Sequence, residues 1–377
     1  MLAFVALGPA TAVIARATAA TPSPVAAPTT WDELLQAGLD RGLTSVALRV
    51  EQGSTLLFEG AAGLASRENQ TPVAATDRFR IASITKTFTA VLVLQQVDAG
   101  LLRLDDTISK WLDDPVVAQI PNVDQITIRQ LLSHTSGVYD YFDQDSPFWQ
   151  DAYFGEGADW TRVWTPLELL AYVGADKHAP YFAPGKGAHY SNTGYILLGL
   201  ILEKATDQHY VDLLHAGIIH PVGLTDTYFA AAEPVPGGMV DAYHLIAGDL
   251  VNVSTIDLSA LWTAAAMVST TKDLDLFLDA LLGGELVQPA TLDEMLTFSA
   301  MDHPGFDGGL GVARWQTAGG AAIGHSGDGP GSAGRMYRLA DTDLTIVMLT
   351  NTGGDDEATD TTYTDAVQMA LATAANS

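Results

Sequence analysis

Strand–turn–strand patterns stand at the two ends of this chain, and that separation restricts its possible folds more than any other feature. Thr44 to Val50 and Leu56 to Ala62 flank a Gln52-Gly53-Ser54 turn. Arg335 to Leu339 and Leu344 to Asn351 flank Asp341-Thr342-Asp343. Apolar runs bounded by turn residues read as hairpins. Between them lies a long stretch rich in Ala and Leu that reads as helical, with stops at Gly100 and Gly223. Trp31 to Leu43 has the pattern of an amphipathic helix capped by Thr30, and Asp360 to Ala374 can close the chain with another. Strands at both ends with helices between them predict an α/β protein of the α+β type. One antiparallel sheet is built from both termini, and a mainly helical lobe is inserted. No internal repeat interrupts this plan.

The start of the chain is a separate matter. Met1 to Ala15 is apolar apart from Gly8-Pro9 and Thr11, shorter than the about 20 residues that a membrane-spanning helix needs. Small residues at Ala15-Arg16-Ala17 and Ala17-Thr18-Ala19 suit a signal-peptidase site, although Met1 to Phe4 carries no positive charge. Thr21 to Pro28 is an extended, proline-spaced linker. The expected organisation is a signal-like segment and linker over 1–30 and one domain over 31–377, in a secreted or extracytoplasmic protein with no stable membrane span.

Composition removes whole classes of chemistry. The sequence has no cysteine, which excludes disulfides, thiolate metal sites and cysteine nucleophiles. Its formal charge of −27 repels phosphate backbones, so no nucleic-acid partner is expected. The nine histidines show no H-E-x-x-H spacing, and no EF-hand, P-loop or dinucleotide fingerprint is present. Neither a metal nor a cofactor is expected. Covalent chemistry here falls to hydroxyls, amines, imidazoles or carboxylates.

Three short motifs carry such groups. Ser83-Ile84-Thr85-Lys86 opens the apolar run Phe88 to Val97. Residues i and i+3 share a helix face about 5–6 Å apart, so Lys86 can reach the Ser83 hydroxyl. A serine needs a base to act as nucleophile, and a buried lysine loses its proton more easily. Tyr190-Ser191-Asn192 follows Pro184-Gly185 and precedes the helical run Tyr195 to Ile201. The Tyr190 phenol can shuttle a proton, a nearby ammonium favouring its phenolate, and Asn192 can hold a carbonyl or steady a lysine. Gly324-His325-Ser326-Gly327-Asp328-Gly329 leads into the second hairpin, where glycines let a ligand approach strand N–H groups. Each motif alone is equally a cap, a turn or a strand end.

Together and in this order the motifs resemble those of the penicillin-recognising serine enzymes, in the branch of class C β-lactamases and secreted D-alanyl-D-alanine carboxypeptidases. The family's Ser-x-x-Lys, Tyr-x-Asn and Lys/His-Thr/Ser-Gly boxes match Ser83–Lys86, Tyr190–Asn192 and His325–Gly327. The stretches Ile126 to Gly137, Tyr190 to Gly199, Met267 to Leu274 and Gly309 to Gly311 are family-like as well. The resemblance implies a two-lobed β-lactamase/DD-peptidase-like fold with the site in the cleft. It makes Ser83 an acylated nucleophile, with Lys86 and Tyr190 sharing the acid and base roles. The N–H groups of Ser83 and Asp328 would form the oxyanion hole, and His325 would replace the family's lysine as a cation or a hydrogen-bond donor. Asn192 would hold the substrate amide, with Ser326, Gly327 and Asp328 along the substrate.

The departures bear on substrate. Histidine in the third box leans toward a carboxypeptidase, yet the Asp328 carboxylate would repel a substrate that ends in a carboxylate. Arg314 could compensate if it points into the cleft, and Trp262 is either a cleft wall or a core residue. The expected protein is an exported, monomeric serine hydrolase of the D-alanyl-D-alanine carboxypeptidase type acting on a small-molecule or peptide substrate. An esterase, a D-amino-acid amidase or a β-lactamase of the same family is one alternative, and a non-catalytic cell-wall binding relative is another.

Overall fold

The computed structural model describes residues 27–174, 178–301 and 306–375, so all but the last four residues of the expected signal-like segment and linker over 1–30 lie outside the described residues. Helix α1, Trp31–Asp40, begins as the sequence predicts. The Thr30 hydroxyl accepts from the Glu33 N–H at 3.2 Å while the Glu33 carboxylate accepts from the Thr30 N–H at 3.3 Å, a reciprocal cap. Strands β1, Ser45–Gln52, and β2, Thr55–Ser66, form the first hairpin, and β3, Thr71–Pro72, edges it.

Near the other end follow β4, Ser299–Ala300; β5, Phe306–Gly308; β6, Ala313–Thr317; β7, Gly320–Gly329; β8, Ser332–Leu339; and β9, Leu344–Thr350. These make one nine-stranded sheet in the order β3-β2-β1-β9-β8-β7-β6-β5-β4. The two ends of the chain meet where β1 pairs antiparallel with β9, Ala47 opposite Leu349 and Gln52 opposite Leu344. Both hairpins and their union in one sheet follow the sequence expectation. The last helix, α5, Asp356–Ala374, starts four residues before the predicted Asp360 because Asp355 caps it through the Ala358 N–H.

Alternation along the central strands divides the core. Val46, Leu48, Val50, Ile346 and Met348 pack with Leu34, Leu35, Tyr363 and Val367 of α1 and α5 on one face. Ala47, Val347 and Leu349 join the core of the helical lobe on the other. That second core surrounds α2, Thr85–Asp98, whose residues from Thr85 to Leu94 are all buried. A helix apolar on every side must sit inside. Phe88 on α2 stacks on Phe277 of the next long helix but one, with ring centroids 3.7 Å apart.

The middle of the chain is less helical than the sequence predicts. From Leu101 to Ser191 it holds only short helices, such as Ile128–Leu132 and Pro166–Leu170, joined by turns. Ile128–Leu132, for example, ends at Ser133, just before His134 takes a left-handed φ of +57°. A long helix, α3, Asn192–Thr206, then carries the second motif at its first turn. The helix carrying Phe277, α4, Thr271–Leu282, covers the sheet beside it.

Because the Phe88–Phe277 stack joins α2 to α4 in the centre of the lobe, Phe88→Ala is expected to cost about 3–5 kcal/mol. Equilibrium urea unfolding checks this; a loss under about 1 kcal/mol would contradict the central place given to α2.

Candidate active site

Ser83 sits in a tight turn, Ala82–Ile84, that leads straight into α2. The preceding Ile81 N–H is tied to the Met267 carbonyl at 3.0 Å, and Ala82 adopts a left-handed φ of +44°. Three of the eight described non-glycine residues with positive φ, namely Ala82, His134 and Trp262, border this one site. Such conformations cost on the order of 1–3 kcal/mol and persist only where the surroundings enforce them.

One turn into α2, Lys86 is wholly buried. Its Nζ donates to Ser83 Oγ at 3.1 Å, to Asn192 Oδ1 at 2.7 Å and to the Ala264 carbonyl at 3.0 Å. Burial disfavours the ammonium and brings its pKa down to about 7, against a smaller opposing pull from Asp140. Asp140 lies one residue further along this chain of bonds, accepting from Asn192 Nδ2 at 2.8 Å. It too is buried, which raises its carboxyl pKa. Asn192 therefore has its amide orientation fixed from both ends, oxygen to the lysine and nitrogen to the carboxylate.

Tyr190 closes the site from the α3 side. Its ring lies over Lys86, with Nζ 4.7 Å from the centroid, and stacks on His134 at 4.3 Å. The sequence reading favoured a phenolate there. Burial wins instead and raises the phenol pKa well above its usual value, with the hydrogen bond to Ser83 pulling the other way. Tyr190 is thus a neutral phenol and Lys86 the group that sheds a proton near neutrality. His134 is also kept neutral by burial, and its Nδ1 accepts the Ser191 N–H at 3.1 Å, fixing the loop that carries Tyr190.

The third side is β7. His325 is buried, which lowers its pKa to about 4, and its Nδ1 lies 2.5 Å from the Ser326 carbonyl. A carbonyl can only accept, so Nδ1 carries the proton and Nε2 offers a lone pair. Both roles expected of His325 are thereby removed: it is not a cation, and its one N–H is spent on the Ser326 carbonyl, so toward a ligand it can only accept. Gly327 lets the strand pass the Ser83 turn: a Cβ there would stand 2.2 Å from the Ile81 carbonyl oxygen and 3.2 Å from the Ser83 nitrogen.

A cavity of about 500 Å³ opens here, lined by Ser83, Tyr190, His325, Ser326 and Asp328 among others. Three expected substrate contacts are placed differently. Arg314 turns from the cavity, its guanidinium on the Asp307 carboxylate at 2.7 and 3.1 Å and over the Phe298 ring. Trp262 is 9% exposed, outside the cavity lining, and packs by Gly199 and Tyr210. It belongs to the core, in the turn that presents the Ala264 carbonyl to Lys86. Asn192 holds Lys86 and Asp140 and does not line the cavity, so it supports the lysine where the sequence expectation had it hold a substrate amide.

Three neighbours escaped sequence reasoning. His134 stands inside the family-like stretch Ile126 to Gly137 with no role read for it. Asp140 lies between Tyr139 and Tyr141, an unusual place for a carboxylate. Arg335 was read only as the start of a strand. It is 4% exposed, lies across from Ser326 and holds both Asp328 oxygens at 2.9 and 3.1 Å, with Asp360 at 2.8 Å. Even so, the cavity wall carries the carboxylates of Asp307, Asp328, Asp356 and Asp360 against the single guanidinium of Arg335. No cluster suited to a metal ion occurs among the described residues.

The sheet from both termini, the inserted helical lobe and the Ser–Lys–Tyr cluster between them define the β-lactamase type of serine hydrolase. A family model described as Beta-lactamase matches residues 31–369, and the chain belongs to that family. It is 26% identical over 320 residues to a penicillin-binding protein of Bacillus subtilis (strain 168), covering 81% of this chain and 68% of that one. To Esterase EstB of Burkholderia gladioli it is 34% identical over 203 residues, covering 53% of this chain and only half, 50%, of the relative. Among solved structures, a D-stereospecific amidohydrolase from Streptomyces sp. superposes with a TM-score of 0.76 at 32% identity, covering 86% of this chain and 95% of that one. The D-amino acid amidase from Ochrobactrum anthropi SV3 gives 0.78 at 27%, covering 89% and 96%.

The close passage of β7 over the Ser83 turn yields a prediction. Gly327→Ala is expected to slow hydrolysis of a short p-nitrophenyl ester by about 100-fold or more, because backbone must move to admit the methyl group. A steady-state assay checks it; an unchanged rate would show that this contact does not shape the site.

Proposed function

We propose that this chain is an exported hydrolase that cleaves an amide or ester through an acyl-enzyme on Ser83, and that its substrates carry no carboxylate next to the scissile bond. The observation that carries the mechanism is Lys86 Nζ, buried, 3.1 Å from Ser83 Oγ and poised to titrate at about 7. As the free amine, Lys86 takes the hydroxyl proton while Ser83 Oγ bonds to the substrate carbonyl carbon. The Ser83 and Asp328 N–H groups stabilise the resulting oxyanion. Tyr190, a phenol within reach of Ser83, hands a proton to the departing amine or alcohol and is reprotonated from Lys86. Water then attacks the acyl-enzyme by the reverse proton path. His325 Nε2, unprotonated, accepts a hydrogen bond from the substrate or from that water.

The acidic wall supports the substrate class. A peptide ending in a carboxylate would bring negative charge toward Asp328, Asp356 and Asp360, where Arg335 already serves two of the three. Arg314, the other candidate counter-charge, serves Asp307. An ester or a D-amino-acid amide meets no such repulsion, and relatives named as an esterase, a D-amino acid amidase and a D-stereospecific amidohydrolase agree with that reading. A D-alanyl-D-alanine carboxypeptidase is the second reading, favoured by the similarity to a penicillin-binding protein. Export rests on the apolar start and its small residues; no helix of the described residues is long and apolar enough to cross a membrane.

Three outcomes are expected. The kcat/KM for a short ester rises with pH through a midpoint of about 7, because below it Lys86 keeps its proton and cannot act as base. Ser83→Ala removes turnover by about 10⁴-fold or more. In a substrate panel, D-amino-acid amides and short esters turn over faster than a D-alanyl-D-alanine peptide. The reverse ranking would select the carboxypeptidase, and a flat pH profile between 5 and 9 would remove Lys86 as the base.

A further inference from the structure

Beyond Asp328 a second cavity of about 210 Å³ adjoins the first. Its walls are strongly aromatic: Phe142, Trp149, Tyr153, Phe154 and Trp160 all line it. The indole N–H groups are already engaged, Trp149 donating to the Phe142 carbonyl at 3.0 Å and Trp160 to the Tyr153 carbonyl at 2.9 Å. What these two side chains offer a ligand is therefore ring surface. Trp149 and Phe154 lie parallel with centroids 5.8 Å apart, and Phe154 is 45% exposed. An exposed large apolar side chain beside an aromatic-lined cavity points to a binding role.

The two cavities share two side chains, Asp328 and Asp356. The aromatic compartment thus abuts the cleft over Ser83, and the boundary they share is lined by carboxylates. Asp328 gives one contact per oxygen to Arg335 and its side chain is 36% exposed, so lone pairs on both oxygens stay open. His244, also on the compartment wall, is held neutral by burial and adds no cation. A ligand suited to both features has a positive group at the junction and an aromatic ring beyond it. A dry cavity of about 150 Å³ is enough to take a benzene ring.

We propose that this compartment is a substrate subsite for an aryl group, that Asp328 and Asp356 receive the substrate's α-ammonium, and that the preferred substrates are amides or esters of aryl amino acids with a free α-amino group. The proposal rests on the reading of Ser83 as the acylated residue, since it deepens the substrate class of that same site. Ring stacking would favour such a compound over an alanine derivative, and the ammonium–carboxylate contact would favour it over an N-acylated one.

The test separates the two readings by measuring binding without chemistry. In Ser83→Ala protein, calorimetric titration with phenylalaninamide (both enantiomers), alaninamide and N-acetylphenylalaninamide reads the subsite directly. Phenylalaninamide of one enantiomer is expected to bind at least about tenfold more tightly than alaninamide, and at least about tenfold more tightly than its N-acetyl derivative. Ile246, half-buried in the compartment wall, allows the ring to be excluded: in Ser83→Ala/Ile246→Trp the aryl-to-methyl ratio falls below about twofold. Should that variant not fold, Phe154→Ala reduces the same ratio by about threefold or more. Equal affinities for the aryl and methyl amides, or an aryl preference that survives both changes, would overturn the subsite. Affinity unaffected by N-acetylation would overturn the ammonium contact. Aryl binding without acylation of Ser83 in the unmutated chain would reject the acyl-enzyme reading alone.

Discussion

Lys86 is an amine with no access to water, held by three hydrogen bonds inside the helical lobe. Leaving an ammonium there uncompensated would be costly, and the molecule answers in two ways: it lets the proton go near neutrality, and it places Asp140 one amide away. Most of the local architecture follows from satisfying that nitrogen. The strained turn at Trp262 presents the Ala264 carbonyl, the first residue of α3 presents Asn192, and the turn before α2 presents Ser83. Each of these contacts comes from a different part of the chain. A buried group that needs three such partners gives the lobe a single arrangement in which it is stable.

The sheet supplies what the lobe lacks. Strand β7 crosses the Ser83 turn closely enough that only glycine fits at 327, and it brings His325, Ser326 and Asp328 along one edge of the cleft. Because β7 belongs to the sheet joined by β1 and β9, the cleft exists only when both ends of the chain are assembled. The sheet also fixes the charge of the cleft. Arg335, across from Ser326 on β8, is committed to Asp328 and Asp360. The wall is left acidic, and the proposed preference for neutral or cationic substrates rests on that charge.

The sequence was most legible where one local rule decides the outcome. Capping by Thr30, the two hairpins and the Ser83–Lys86 spacing each depend on residues within a few positions of one another. Pairing of the two ends was readable from strand patterns alone. Roles set by distant partners were not. Whether Arg314 enters the cleft depends on Asp307 in the next strand, and Trp262 packs inward against Gly199 of α3. For Asn192 both a substrate contact and support of a lysine were readable, and the choice between them depended on Asp140, 52 residues away. The Tyr190 phenol was misjudged for a similar reason: proximity of a lysine favours phenolate, but burial, invisible in a motif, opposes it more strongly.

The central claim is that Lys86 is deprotonated near neutral pH and so can activate Ser83. Selective ¹³C labelling of lysine with an NMR titration of the side-chain methylene beside Nζ measures this without any substrate, and Lys86→Arg protein identifies the signal. The account predicts that the signal lost in Lys86→Arg protein titrates with a midpoint of about 7, well below the about 10.4 of a free lysine side chain. A Lys86 signal that stays protonated up to pH 10 would contradict it.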